Sequence, residues 1–188
     1  MAGAGSSSAA SSAGASAGAS AGASAGASAD DASRAADVMF AQMMIPHHEQ
    51  AVEMADLALA PAAGAGADVT ALARKIKAAQ APEIATMNGW LGSWGAAVED
   101  DGDMGGMHHG ASMPGMMSDE DMAALGDARG DAFDRMWLTM MVAHHEGALT
   151  MADDVLETTQ DPQVRTLAQA VVSGQTAEIA TMKSLLAG

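Results

Sequence analysis

Apolar side chains recur every three or four residues through four stretches of the chain, the spacing that lines one face of a helix. In the first stretch Phe40, Met43, His47, Met54 and Leu57 fall on one stripe, with Ala41, Met44, His48, Ala51, Ala55 and Ala58 beside it. Together they make a face broad enough to enter a bundle core. The third stretch repeats this with Phe133, Trp137, Met140, His144 and Met151, flanked by Leu138, Met141, His145, Ala148, Ala152 and Val155. Breaks fall at residues 61–66, 102–114 and at Asp161-Pro162. Ser118-x-x-Asp121 and Asp161-Pro162 carry helix N-cap signals, a side-chain oxygen for orphan amides and a proline at the first helical position. Pro46 stands inside the first helix, where a missing donor predicts a kink just before His47.

The chain also repeats itself. At an offset of 97, Asp37, Met43, Met44, His47, His48, Glu49, Ala51, Met54 and Ala55 map onto Asp134, Met140, Met141, His144, His145, Glu146, Ala148, Met151 and Ala152. At an offset of 95, Leu72, Gln80, Glu83, Ile84, Ala85, Thr86, Met87 and Leu91 map onto Leu167, Gln175, Glu178, Ile179, Ala180, Thr181, Met182 and Leu186. Short turns within each copy and a longer loop between copies predict an all-α fold. It is an antiparallel four-helix bundle made of two duplicated helical hairpins, residues 30–100 and 119–188, joined by a Met- and His-rich loop over 101–118. Residues 1–29 are almost entirely Ala, Gly and Ser and carry no charge, a composition that behaves as a tether ahead of the single domain 30–188.

Composition narrows the function. A net charge of −16, with only eight Lys and Arg, disfavours nucleic acid and anionic membrane surfaces and favours a cationic guest. The chain has no Cys, so neither a disulfide nor a thiolate site exists. No apolar run is long enough to span a bilayer. The N-terminus as written lacks the charged and apolar regions of a signal peptide; the Ala/Gly/Ser tract instead suits the spacer left when a secretion or lipoprotein signal is removed, which predicts an extracytoplasmic protein.

All six histidines occur as His-His pairs, at His47-His48, His108-His109 and His144-His145. Imidazole is the commonest metal ligand and thioether sulfur selects soft ions, so the pattern predicts copper, as Cu(I), with Ag(I) as a chemical mimic. Residues four apart share a helix face, whereas adjacent ones diverge by about 100°. Met43 therefore lies over His47, Met44 over His48, Met140 over His144 and Met141 over His145, with Met54 and Met151 two turns further on. Met87 and Met182, each four residues after Glu83 or Glu178, complete the ligand candidates on the bundle helices. Glu83, Glu178, Glu49 and Glu146 are better suited to orienting imidazoles than to binding a soft ion. In the loop, Met104, Met107, His108, His109, Met113, Met116 and Met117 are candidates for first capture, because exposed methionine without a task is an oxidation liability.

The unit MM-x-x-HH-x-x-A-x-x-MA, present at 43–55 and again at 140–152, resembles the family catalogued as domain of unknown function 305. The resemblance covers residues 30–188 and implies a ferritin-like bundle. Its CopM-like members bind copper and support copper resistance outside the cytoplasm, which implies a non-enzymatic role in metal homeostasis carried by Met43, Met44, His47, His48, Met54, Met140, Met141, His144, His145 and Met151. The expected partners are the metal ion and a copper-delivery protein; oligomeric state is left open. Two alternatives also stay open: a di-iron carboxylate oxidoreductase, although no Glu here has His three residues later, and a structural or partner-binding bundle that uses Met for adaptable contacts.

Overall fold

The structure, a computed structural model, describes residues 28–96 and 113–188. Nearly all of the expected tether lies outside these residues, as do Met104, Met107, His108 and His109. The described residues are helical, with no strand among them: α1 (Ala29–Leu59), α2 (Ala67–Trp94), α3 (Asp119–Asp127), α4 (Gly130–Thr158) and α5 (Pro162–Ala187).

Local chemistry sets most of the ends. Ser28 and Asp31 form a reciprocal capping box at the start of α1, which holds the Asp31 carboxyl below its usual range. Asp161 accepts from the amides of Gln163 and Val164 ahead of Pro162. The α2 N-terminus has no side-chain cap of its own. There Asp134 of α4 reaches across, and both carboxylate oxygens accept from the Gly66 amide at 3.1 and 3.0 Å. α1 runs through Pro46 as one continuous helix, and α2 through Pro82.

The segment after Ser118 departs from the sequence reading. The capping box of Ser118 and Asp121 is present, but it opens a separate nine-residue helix, α3. The break before α4 has a tertiary cause. Gly130 adopts φ +57°, in the left-handed region that side-chain-bearing residues avoid, and its amide donates to Ala63 O at 2.8 Å in the α1–α2 turn.

α1 packs along α2 and α4 along α5, while α1 crosses α4 to join the hairpins. The core divides into two apolar clusters. One joins Phe40, Ala41, Met44 and Ile45 of α1 to Ala148, Met151, Ala152 and Val155 of α4, closed by Met87, Trp90 and Leu91 of α2 and Val164, Ala168 and Val171 of α5. The other joins Ala51, Met54, Ala55 and Ala58 to Phe133, Trp137, Leu138 and Met141, with Val69, Leu72, Ala73 and Ile76 and with Ile179 and Met182. The first half of α1 thus meets the second half of α4 and the reverse, so the two helices run antiparallel. Trp137 ties the halves through Nε1, which donates to Met54 O at 2.8 Å.

Candidate metal centre

Between the two clusters lies a polar layer. On α1 it holds His47 and His48, on α4 His144 and His145, on α2 Gln80 and Glu83, and on α5 Gln175 and Glu178. Each falls in sequence between residues of one cluster and residues of the other. The four imidazoles are essentially inaccessible to solvent, and both glutamines are buried. His47 and His144 meet face to face across the α1–α4 crossing, ring centroids 3.7 Å apart and tilted by 35°.

The bonds these rings make decide which nitrogen stays free. His48 Nε2 lies 2.9 Å from Glu83 Oε2, and His145 Nε2 lies 3.0 Å from Glu178 Oε2. Carboxylates accept, so Nε2–H is the donor of each ring, and Nδ1 has no hydrogen-bond partner. His47 Nε2 approaches Pro114 O at 3.1 Å, and a carbonyl can only accept, which leaves Nδ1 as the open lone pair. His144 has a partner at neither ring nitrogen. Burial is the main force lowering the His47 pKa to about 3, with neighbouring His48 adding to it. Burial likewise pushes His144 well below its ordinary value, helped by the other three imidazoles. These two rings are therefore neutral at physiological pH, the protonation state that a metal ligand requires. Burial would raise the Glu178 carboxyl, but its bonds to His145 and Lys75 outweigh this and hold it below the usual range.

The described end of the Met-rich loop lies directly on this layer. The Gln50 side chain clasps the strand of chain at Met117 twice: Nε2 donates to Met117 O at 2.9 Å, and Met117 N donates to Oε1 at 2.8 Å. On the other side Gly147 leaves room for it. A Cβ there would stand 1.9 Å from Pro114 O, and one on Gly115, at φ +78°, would stand 2.5 Å from Ala143 O. Gln50 and Gly147 occupy matching positions of the two repeats. The duplication departs from itself there because one strap of chain, 113–117, crosses both copies.

The predicted residues divide accordingly. Met44, Met87 and Met151 share one flanking cluster and Met54, Met141 and Met182 the other, all buried. Each trio takes members from both repeats. Met43 and Met140 are half-buried at the cluster edges, and Met113, Met116 and Met117 are half-buried in the strap. Glu83 and Glu178 each bond an imidazole, that of His48 and that of His145. Glu49 and Glu146 do not: both are exposed, and Glu146 pairs with Lys183 at 2.7 Å. The reason is helical geometry, since the residue after the second His is turned by about another 100°, out of the core. Sequence reasoning missed Gln80, Gln175, Gln50 and the Pro114 carbonyl. Recurrence of Gln80 as Gln175 on the apolar face was the signal available for the first two.

Among the described residues no three His, Asp or Glu side chains gather as an ion-binding group. The four carboxylates expected of a di-iron centre are not brought together, because two of them face solvent. What the layer offers instead is imidazole lone pairs bordered by thioether sulfur and amide oxygen. That donor set suits a soft ion of low coordination number.

Comparison with known proteins agrees with this architecture. A family model described as "Domain of unknown function (DUF305)" matches residues 37–186. A Streptomyces coelicolor structure described as "putative secreted protein DUF305" is 35% identical, with 81% of this chain and 91% of that one covered and a TM-score of 0.71. A DUF305 fragment from Deinococcus radiodurans is 31% identical, covering 81% and 95% of the two chains, also with a TM-score of 0.71. CopM in its Cu(II)-bound form is 33% identical over 80% of this chain and 95% of its own, with a TM-score of 0.66. The same protein has been solved with Cu(I) and with Ag. No curated protein sequence matches the chain. The family match over most of the chain, the shared fold and the repeated His-His helix pair establish that this chain belongs to the DUF305 family.

Proposed function

We propose that this protein binds and buffers copper as Cu(I), with Ag(I) as a mimic, and so supports copper homeostasis or resistance outside the cytoplasm. One observation carries the reading. Among the described residues, every buried side-chain nitrogen or oxygen without a hydrogen-bond partner lies in the central layer, except Asp37 Oδ1. They are Nδ1 of His47, His48 and His145, both ring nitrogens of His144, both amide atoms of Gln80 and Oε1 of Gln175. Leaving such groups unmet costs about 1–3 kcal/mol each, and concentrating them in one layer makes sense where a guest satisfies them. The buried methionines on both sides bias that guest toward a soft ion, and copper-bound CopM supports copper as its identity.

In this reading His47, His48, His144 and His145 ligate through nitrogen, and Met44, Met54, Met87, Met141, Met151 and Met182 supply sulfur from the flanking clusters. Met43 and Met140 serve at the layer's edge. Glu83 and Glu178 hold their imidazoles in the ligating tautomer. Met104, Met107, His108, His109, Met113, Met116 and Met117 capture the ion first. The uncharged N-terminal tract and the word "secreted" in the description of the Streptomyces coelicolor relative support the extracytoplasmic placement. A native mass spectrum of the protein titrated anaerobically with Cu(I) tests the function. Bound copper is expected, with a lower stoichiometry in a His47→Leu, His144→Leu variant of unchanged helicity; a wild-type protein that takes no Cu(I) from a colorimetric chelator overturns it.

A further inference from the structure

The two repeats match at both histidines and differ at the residue two or three positions beyond them: Gln50 in the first, Gly147 in the second. Both residues serve the same strap. Gln50 holds it at Met117 with two hydrogen bonds, and Gly147 admits Pro114 closely enough that no side chain could stand there. Fixed at both points, the strap aims the Pro114 carbonyl at His47 Nε2. His144, stacked against His47, has no partner at hydrogen-bond geometry on either ring nitrogen.

We propose that Gln50 is a positioning residue for the metal centre: by pinning the 113–117 strap it makes the Pro114 carbonyl hold His47 in the Nε2–H tautomer, with Nδ1 presented as the ligand. His144 is the ring left free to ligate through either nitrogen. The repeated motif therefore builds two unequal halves from one sequence pattern, His47 preset and His144 adaptable. The inference rests on the copper-binding reading above, yet its first consequence exists without metal. Glu83 and Glu178 do for His48 and His145 what a backbone carbonyl does for His47. The carbonyl adds no charge to the layer, so His47 is oriented without a further carboxylate beside the guest.

Imidazole tautomers are read directly by two-bond 15N–1H correlation on the labelled, metal-free full chain. His47 is expected with its proton on Nε2 and an unprotonated Nδ1. In Gln50→Ala its signals should move toward a mixture of tautomers while those of His48 and His145 stay in place. With Ag(I) as probe, the shift on binding should appear at His47 Nδ1, and Gln50→Ala should weaken Ag(I) binding by about 10-fold or more, the range seen when groups that orient a metal ligand are removed. Gly147→Ala reaches the strap from the opposite side and should reproduce the His47 change if Gln50→Ala folds poorly. A His47 ring protonated on Nδ1 in the wild type, or one whose tautomer is indifferent to both substitutions, overturns the proposal. Wild-type imidazole signals that ignore Ag(I) altogether defeat the metal reading instead, and the tautomer data then decide the role of Gln50 alone.

Discussion

Gly147→Ala offers the sharpest test, because two physical effects predict opposite signs. In the interior of a helix alanine is favoured over glycine by about 1 kcal/mol, so the change should ordinarily stabilise. Gly147 lies within α4, but an alanine Cβ would stand 1.9 Å from Pro114 O, 2.4 Å from its carbonyl carbon and 2.9 Å from Gly115 N. These are backbone atoms, so the strap must lift. Lifting it breaks His47 Nε2–Pro114 O and both Gln50–Met117 bonds. At about 1 kcal/mol net for each bond, water refilling the vacated partners, the loss is about 3 kcal/mol. Subtracting the helix gain leaves a destabilisation of about 2 kcal/mol, or roughly 4–8 °C in Tm for a domain of this size. Gly89 in α2 and Gly174 in α5 provide internal controls, since a Cβ at either meets nothing within 4 Å. Alanine there should raise stability by about 0.5–1 kcal/mol. Thermal and urea unfolding of the metal-free variants, followed by circular dichroism at 222 nm, compares all three. A Gly147→Ala protein stabilised like Gly174→Ala would show that the strap does not rest on α4, and the account of His47 would go with it.

Three further outcomes can be measured on the metal-free protein. Replacing Gln80 and Gln175 by Leu removes buried amide atoms without partners, so the metal-free protein should gain about 1–3 kcal/mol per site in urea unfolding; a loss of stability would mean that those amides are already satisfied in solution. Acid should destabilise the metal-free protein, and the sign comes from His47: its pKa is lowered from 6.5 to about 3 in the fold, so between those values the unfolded chain binds the extra proton and stability drops as the pH is lowered. At pH 4.5 the His47 contribution is a loss of about 3 kcal/mol relative to pH 8, and His144 acts in the same direction; a His47→Phe variant should show a shallower acid limb, and equal limbs would refute the buried neutral ring. Finally, Trp137→Phe deletes the donor that ties α4 to Met54 O and leaves a buried acceptor and a small void, which should cost about 1–3 kcal/mol; a change below about 0.3 kcal/mol in denaturant unfolding would show that the bond contributes nothing.

The periodicity of the chain was enough to determine four long helices, their apolar faces and the inward placement of His47, His48, His144 and His145. These features depend on the 3.6-residue turn, which any reader of the sequence can lay out. The self-alignment likewise made Gln80 and Gln175 equivalent, as it did Met44 with Met141. Only the tertiary structure decided between chemically identical candidates. All four glutamates looked equally fit to orient imidazoles, yet only Glu83 and Glu178 sit on helices that face the rings across a hairpin; Glu49 and Glu146 turn to solvent. The separate α3 was equally hidden, because the break before α4 depends on Gly130 reaching Ala63 O, 67 residues away. So was the strap, whose contacts pass between a loop carbonyl, a glycine on α4 and a glutamine on α1. A local repeat specifies which face of a helix is apolar. Which groups meet across that face follows from how α1 crosses α4, and the sequence period carries no information about the crossing.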